Sequence, residues 1–147
     1  MGQQTTLNRT NVDAAAMRQR GYDSPERSAV LMSCSLDCIK LLNPEGQISY
    51  ISHNGLCAME VDDLDSVAGQ PWWMFWPEPQ QDTIRTAVES ARDGKIVNFI
   101  ADCPTARGTP ARWDVTVQGV FEEDGALREI IAVSRRTNEP LRDLSAF

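Results

Sequence analysis

Trp113, Val115 and Val117 alternate with Asp114, Thr116 and Gln118, the period-two pattern of a strand with one buried face and one wetted face. Strand-like segments flank this one on both sides. The spacing predicts strands over Ile96–Cys103, Arg112–Glu122 and Leu127–Arg135, with Arg107-Gly108-Thr109-Pro110 and Glu123-Asp124-Gly125 as the turns between them. The first of these strands places Phe99, Ala101 and Cys103 on one side. The last buries either Ile130 and Ala132 or Ile131 and Val133. Short turns make neighbouring strands antiparallel, and an antiparallel sheet with one apolar face needs a cover for that face.

The cover is supplied upstream. Over Gln80–Asp93, Ile84, Ala87, Val88 and Ala91 recur at i, i+3, i+4 and i+7, with Gly94 as the stop. Before this helix comes Pro71-Trp72-Trp73-Met74-Phe75-Trp76-Pro77, which holds three of the chain's four tryptophans. Cys38–Leu42 and Ile48–Ser52 read as a hairpin closed by Asn43-Pro44-Glu45-Gly46. Between the hairpin and the tryptophans, Asn54 is expected to cap a helical turn through Gly55–Met59, and Asp62 or Asp63 another. Ser24-Pro25-Glu26 opens an N-terminal helix carrying Ala29, Val30 and Met32. The expected division is a flexible lead-in over 1–23, an N-terminal helix over 24–36, a core over 37–139 and a C-terminal tail over 140–147. This is an α+β layout with one antiparallel sheet.

The 147 residues suit one domain, and 21 acidic against 14 basic residues argue against nucleic acid or an anionic membrane as a partner. No apolar run approaches the length of a membrane span, and the N-terminus lacks a signal-peptide pattern, so a cytoplasmic protein is expected. Cys34, Cys38, Cys57 and Cys103 form no metal-binding pair, and His53 is the one histidine, so no metal site is expected.

The order of elements and several phrases resemble a PAS domain over about Ala29 to Glu139. The phrases are Gly69-Gln70-Pro71-Trp72 with Trp76-Pro77, Cys103-Pro104-Thr105-Ala106-Arg107-Gly108-Thr109-Pro110 leading into Arg112-Trp113-Asp114-Val115, and the closing Val133-Ser134-Arg135-Arg136-Thr137-Asn138-Glu139. The resemblance is to the PAS modules of bacterial sensor histidine kinases, in two-component systems, and of diguanylate cyclases. It implies a five-stranded antiparallel sheet in the order 2-1-5-4-3, helices over one face around a ligand cavity, dimerisation through an N-terminal helix, and relay to an output domain. The family's usual Asp and Thr at the exit are replaced here by Arg136 and Asn138.

The flavin photosensors of that family carry a Gly-x-Asn-Cys-Arg-Phe-Leu-Gln run. Set against Gly69, it puts Pro71 at the asparagine, Trp72 at the adduct-forming cysteine and Trp76 at the glutamine, so adduct chemistry is not expected. The flavin contacts on the later strands would map to Cys103, Trp113 and Ser134. The family's haem-binding members ligate iron from the long helix, which has no histidine here. The cofactor is otherwise undetermined. Candidate pocket residues are Trp72, Phe75, Trp76, Phe99, Ala101, Cys103, Trp113, Val115 and Ser134. Two readings of the aromatics stay open. The rings fill the core and leave little space, or Trp72 or Trp76 faces Trp113 across an apolar pocket for a small aromatic or fatty ligand.

Val30 and Leu31 are the candidate homodimer contacts, together with the outer sheet face. Cys103 invites a redox switch, but its apolar strand end favours inert burial. No nucleophile–base pair or buried acid pair is legible, so the chain is expected to be a sensory module rather than an enzyme. A ligand-free dimerisation module ranks second, and a small α+β enzyme using the cavity last. The segment after Glu139 is too short for an output domain, which leaves signalling to a partner chain or membership of a larger receptor.

Overall fold

The computed structural model describes residues 12–21 and 24–147. Of the expected lead-in, residues 1–11, 22 and 23 lie outside the described residues, and residues 12–19 form a helix, α1. The second helix, α2 (Pro25–Ser33), starts as its sequence dictates. Pro25 occupies the first turn, Glu26 supplies the acid, and the Ser24 hydroxyl accepts from the Arg27 amide at 3.1 Å. None of its residues is buried.

β1 (Cys38–Leu42) and β2 (Ile48–Ile51) form the hairpin. Asn43 organises its turn, the side-chain oxygen accepting from the amides of Glu45 and Gln47. Gly46 sits at φ +87°, where a β-carbon would also strike the Trp73 ring at 2.8 Å. The next helix, α3, runs His53–Ala58. Its cap is Ser52, whose hydroxyl accepts from the Gly55 amide, and not Asn54 as expected. Asn54 lies inside the helix and its amide donates to the Ser35 carbonyl at 2.6 Å. Two 3-10 turns follow, Leu64–Ser66 capped by Asp63 and Trp72–Phe75. The long helix, α4 (Glu78–Arg92), buries Ile84, Ala87, Val88 and Ala91, the stripe read from its spacing.

β3 (Val97–Asp102), β4 (Arg112–Phe121) and β5 (Leu127–Arg136) complete the expected strands. One more is present. The segment expected as a tail contributes β6 (Arg142–Ala146), which pairs antiparallel with β3. The sheet is therefore six-stranded in the order β2-β1-β5-β4-β3-β6: the expected 2-1-5-4-3 arrangement with an added edge strand.

The strand registers assemble the inner face in rows. Ile51, Lys40, Ala132, Val117 and Val97 lie in one row, and Cys38, Ser134, Val115 and Phe99 in the next. On β5 the buried pair is Ile130 and Ala132, which settles the choice left open by its sequence. α4 crosses this face closely at Gly119, where a β-carbon would meet the Ala91 carbonyl oxygen at 2.8 Å. Trp72, Trp113, Phe99, Leu42, Ile84 and Ile130 are the large, fully buried side chains that tie helices to sheet.

Candidate ligand-binding cavity

Between the inner sheet face, the Trp72–Phe75 turn and the Cys103–Pro110 loop lies a cavity of about 420 Å³. Pro71 and Pro77 bracket the aromatic turn, Pro71 at its start and Pro77 at the start of α4. The turn buries Trp72 and Trp76 and leaves Met74 exposed. Trp72 and Trp76 meet edge to face at 6.2 Å between ring centres, and Trp76 meets Phe99 the same way at 5.7 Å. Trp73 points elsewhere, under the Arg85 guanidinium at 5.5 Å. On the sheet side, Trp113 spends its indole N–H on the Cys103 carbonyl at 2.9 Å and stacks against Arg136 at 5.3 Å. The cavity sees its apolar surface.

Of the sequence-derived candidates, Trp72, Phe75, Trp76, Cys103, Trp113 and Ser134 line the cavity together. Phe99, Ala101 and Val115 do not. Phe99 lies behind Trp76, Val115 is covered within the sheet core, and Phe99 and Ala101 border a separate groove between α4 and β6. Phe75, grouped with the core aromatics by its neighbours, is 36% exposed; three positions after Trp72 in a 3-10 turn it shares that ring's side and lines the cavity without being buried in the core.

Several lining residues escaped the sequence reading. Lys40 is 4% exposed and points inward between Cys38 and Leu42. The period-two alternation of β1 already placed it on the apolar face. Glu60, Asp62, Thr105 and Arg107 form the mouth. Glu60 holds a left-handed backbone at φ 56° and accepts from the Thr105 hydroxyl at 2.7 Å. Arg107 pairs with Asp62 at 2.8 Å, and the Ala106 amide donates to the Met59 carbonyl at 3.0 Å. These contacts staple the loop after β3 to the segment after α3. Hydrogen bonding from Thr109 and Thr105, more than the nearby arginines, holds the Glu60 carboxyl below the ordinary glutamate range.

Burial pushes the Cys103 thiol up to about 11, against a smaller opposing pull from the Lys40 charge. Its Sγ lies 3.4 Å from the Phe75 carbonyl oxygen, to which it donates. At neutral pH this is a protonated, unreactive thiol. His53 is exposed at the start of α3, away from the cavity lining, with its Nε2 3.9 Å from Cys57 Sγ. Among the described residues no cluster of His, Cys, Asp or Glu has the composition of a metal site.

An antiparallel sheet cupped by helices around an apolar cavity defines a receptor-like shell. A family model described as the PAS fold matches residues 34–142. The chain belongs to the PAS fold family, whose members are in general sensory signalling modules. Solved structures agree on the fold. The PAS domain of an HTR-like protein from Haloarcula marismortui superposes with a TM-score of 0.63 at 19% identity, covering 76% of this chain and 96% of that one. A PAS domain from Colwellia psychrerythraea gives 0.68 at 14%, covering 80% and 100%. The light-state LOV domain of the photoreceptor Aureochrome1 gives 0.60 at 20%, covering 75% and 88%. Curated proteins yield no match.

Proposed function

We propose that this chain is a cytoplasmic sensory PAS module that takes a small apolar or aromatic ligand into the cavity and relays its presence to an output domain or partner protein. The observation that carries this reading is the cavity itself: about 420 Å³ of mostly apolar space walled by three indoles, with a few polar groups converging on it. The route outward is short. Trp113 and Ser134 touch the cavity from β4 and β5, Arg136 stacks on Trp113, and β5 ends there before the chain turns into β6. A ligand that favours one position of the Trp113 ring shifts the population of β5–β6 arrangements, which is what a partner would read. Free cysteines, two of them exposed, suit a reducing compartment. Among the described residues no helix is long and apolar enough to cross a membrane.

The active unit in this reading is a homodimer built on α2 and the outer sheet face. α2 buries no residue, and Val30 and Leu31 are more than half exposed. Ile39, Leu41, Ile131 and Val133 form a half-buried apolar set on that outer face. Titration with a small neutral aromatic such as 2-naphthamide tests the cavity reading. A saturable change in tryptophan emission with a rise in melting temperature is expected. An unchanged spectrum and melting temperature at millimolar probe contradict it.

A further inference from the structure

Lys40 and Ser134 are out of place on an apolar sheet face. The Lys40 side chain is almost wholly buried, yet it enters no ion pair among the described residues. The hydrogen-bond acceptor its Nζ finds is Cys38 Sγ at 3.0 Å, two positions back on the same face. A thiol sulfur is a weak acceptor, and an ammonium has three N–H groups to satisfy. Ser134 is 3% exposed and its Oγ has no hydrogen-bond partner at all. Both side chains line the cavity. They lie on adjacent rows of adjacent strands, Ser134 opposite Cys38 and Lys40 opposite Ala132, so the two side chains are diagonal neighbours on the inner face.

A buried cation without a counter-charge and a buried hydroxyl without a partner each cost stability. One oxyanion between them would relieve both. The acids at the mouth do not serve: Glu60 is engaged by Thr105, Asp62 by Arg107, and Asp63 turns its carboxylate to the Asp65 amide at the surface. The rest of the lining offers three indoles and Ile48 to an apolar body.

We propose that the ligand is a small organic carboxylate, its anionic oxygens held by Lys40 Nζ and Ser134 Oγ and its aromatic or alkyl body packed among Trp72, Trp76 and Trp113. This rests on the cavity being a ligand site and adds the chemical class. Calorimetric titration with two matched pairs tests it: naphthalene-2-carboxylate against 2-naphthamide, and decanoate against decan-1-ol.

In the unaltered protein each acid is expected to bind about 10- to 100-fold more tightly than its neutral partner, the range of a charge-assisted hydrogen bond in a buried site. Lys40→Met should abolish that preference, bringing each acid to the affinity of its neutral partner in the same variant. Ser134→Ala should weaken the acids by roughly 3- to 10-fold. Equal binding of acid and neutral partner, or a preference that survives Lys40→Met, overturns the carboxylate assignment and leaves the cavity reading standing. Failure of all four probes to bind overturns both.

Discussion

The side chains that give the cavity its character are those whose chemistry disagrees with their position. On β1, Cys38, Lys40 and Leu42 share one face by simple alternation, so a lysine in the core was legible in the sequence once the strand was drawn. Its meaning was not. That depends on Ser134, more than ninety residues away, which sheet register brings alongside. Glu60 and Thr105 are hidden for the same reason: 45 positions separate them, and the hydrogen bond that joins them is accepted by Glu60, whose backbone is left-handed. Cys103 was legible as an inert thiol, because apolar neighbours on a strand end predict burial and burial penalises the thiolate. Thiol titration of the folded protein at neutral pH should therefore label Cys34 and Cys57 rapidly, and Cys103 only on unfolding. Fast modification of Cys103 in the native state would contradict its burial.

At the scale of elements, periodicity found α4 and β3 to β5 almost to their ends, since each carries its own apolar stripe. β6 left no such mark. Arg142-Asp143-Leu144-Ser145-Ala146 has one half-buried apolar residue, and what holds it is backbone pairing with β3 plus one polar knot. In that knot Asn98 donates to Asp114 at 2.7 Å and to the Val115 carbonyl, while its own oxygen accepts from Arg142. Arg142→Ala should speed amide exchange in β6 by about tenfold, the loss of roughly one net hydrogen bond, with β3 and β4 unchanged. Equal protection of β6 in the variant would show that the knot holds nothing.

α2 poses the opposite case: a well-capped helix start with no buried face. A helix of nine residues is marginal without tertiary packing, so a partner surface is expected. Replacing Val30 and Leu31 together by Glu should give a folded monomer in sedimentation. A dimer that persists would place the interface elsewhere.

For the molecule as a whole, the mouth staple couples stability to pH. The Glu60 carboxyl is held below its ordinary range by Thr109 and Thr105, so its contribution is full at neutral pH and is lost as pH falls through the depressed value. Melting temperature should drop more steeply below roughly pH 4 than in Glu60→Gln, whose amide does not titrate there. Parallel curves for the two proteins would remove Glu60 from the account. The same staple closes a shell whose fold was readable from alternating strands, one striped helix and the order of turns. Its interior was not readable, because a void is a property of how rings tilt and not of which rings are present. Trp72 and Trp76 either fill space or border it depending on the 3-10 turn that carries them.

Native mass spectrometry after incubation with naphthalene-2-carboxylate reads occupancy and assembly in one spectrum. The account predicts a dimer carrying one acid per protomer, and an unloaded dimer when Lys40→Met is treated at the same low concentration. A protein that stays bare with this acid, at any oligomeric state, would contradict the carboxylate assignment at the centre of the account.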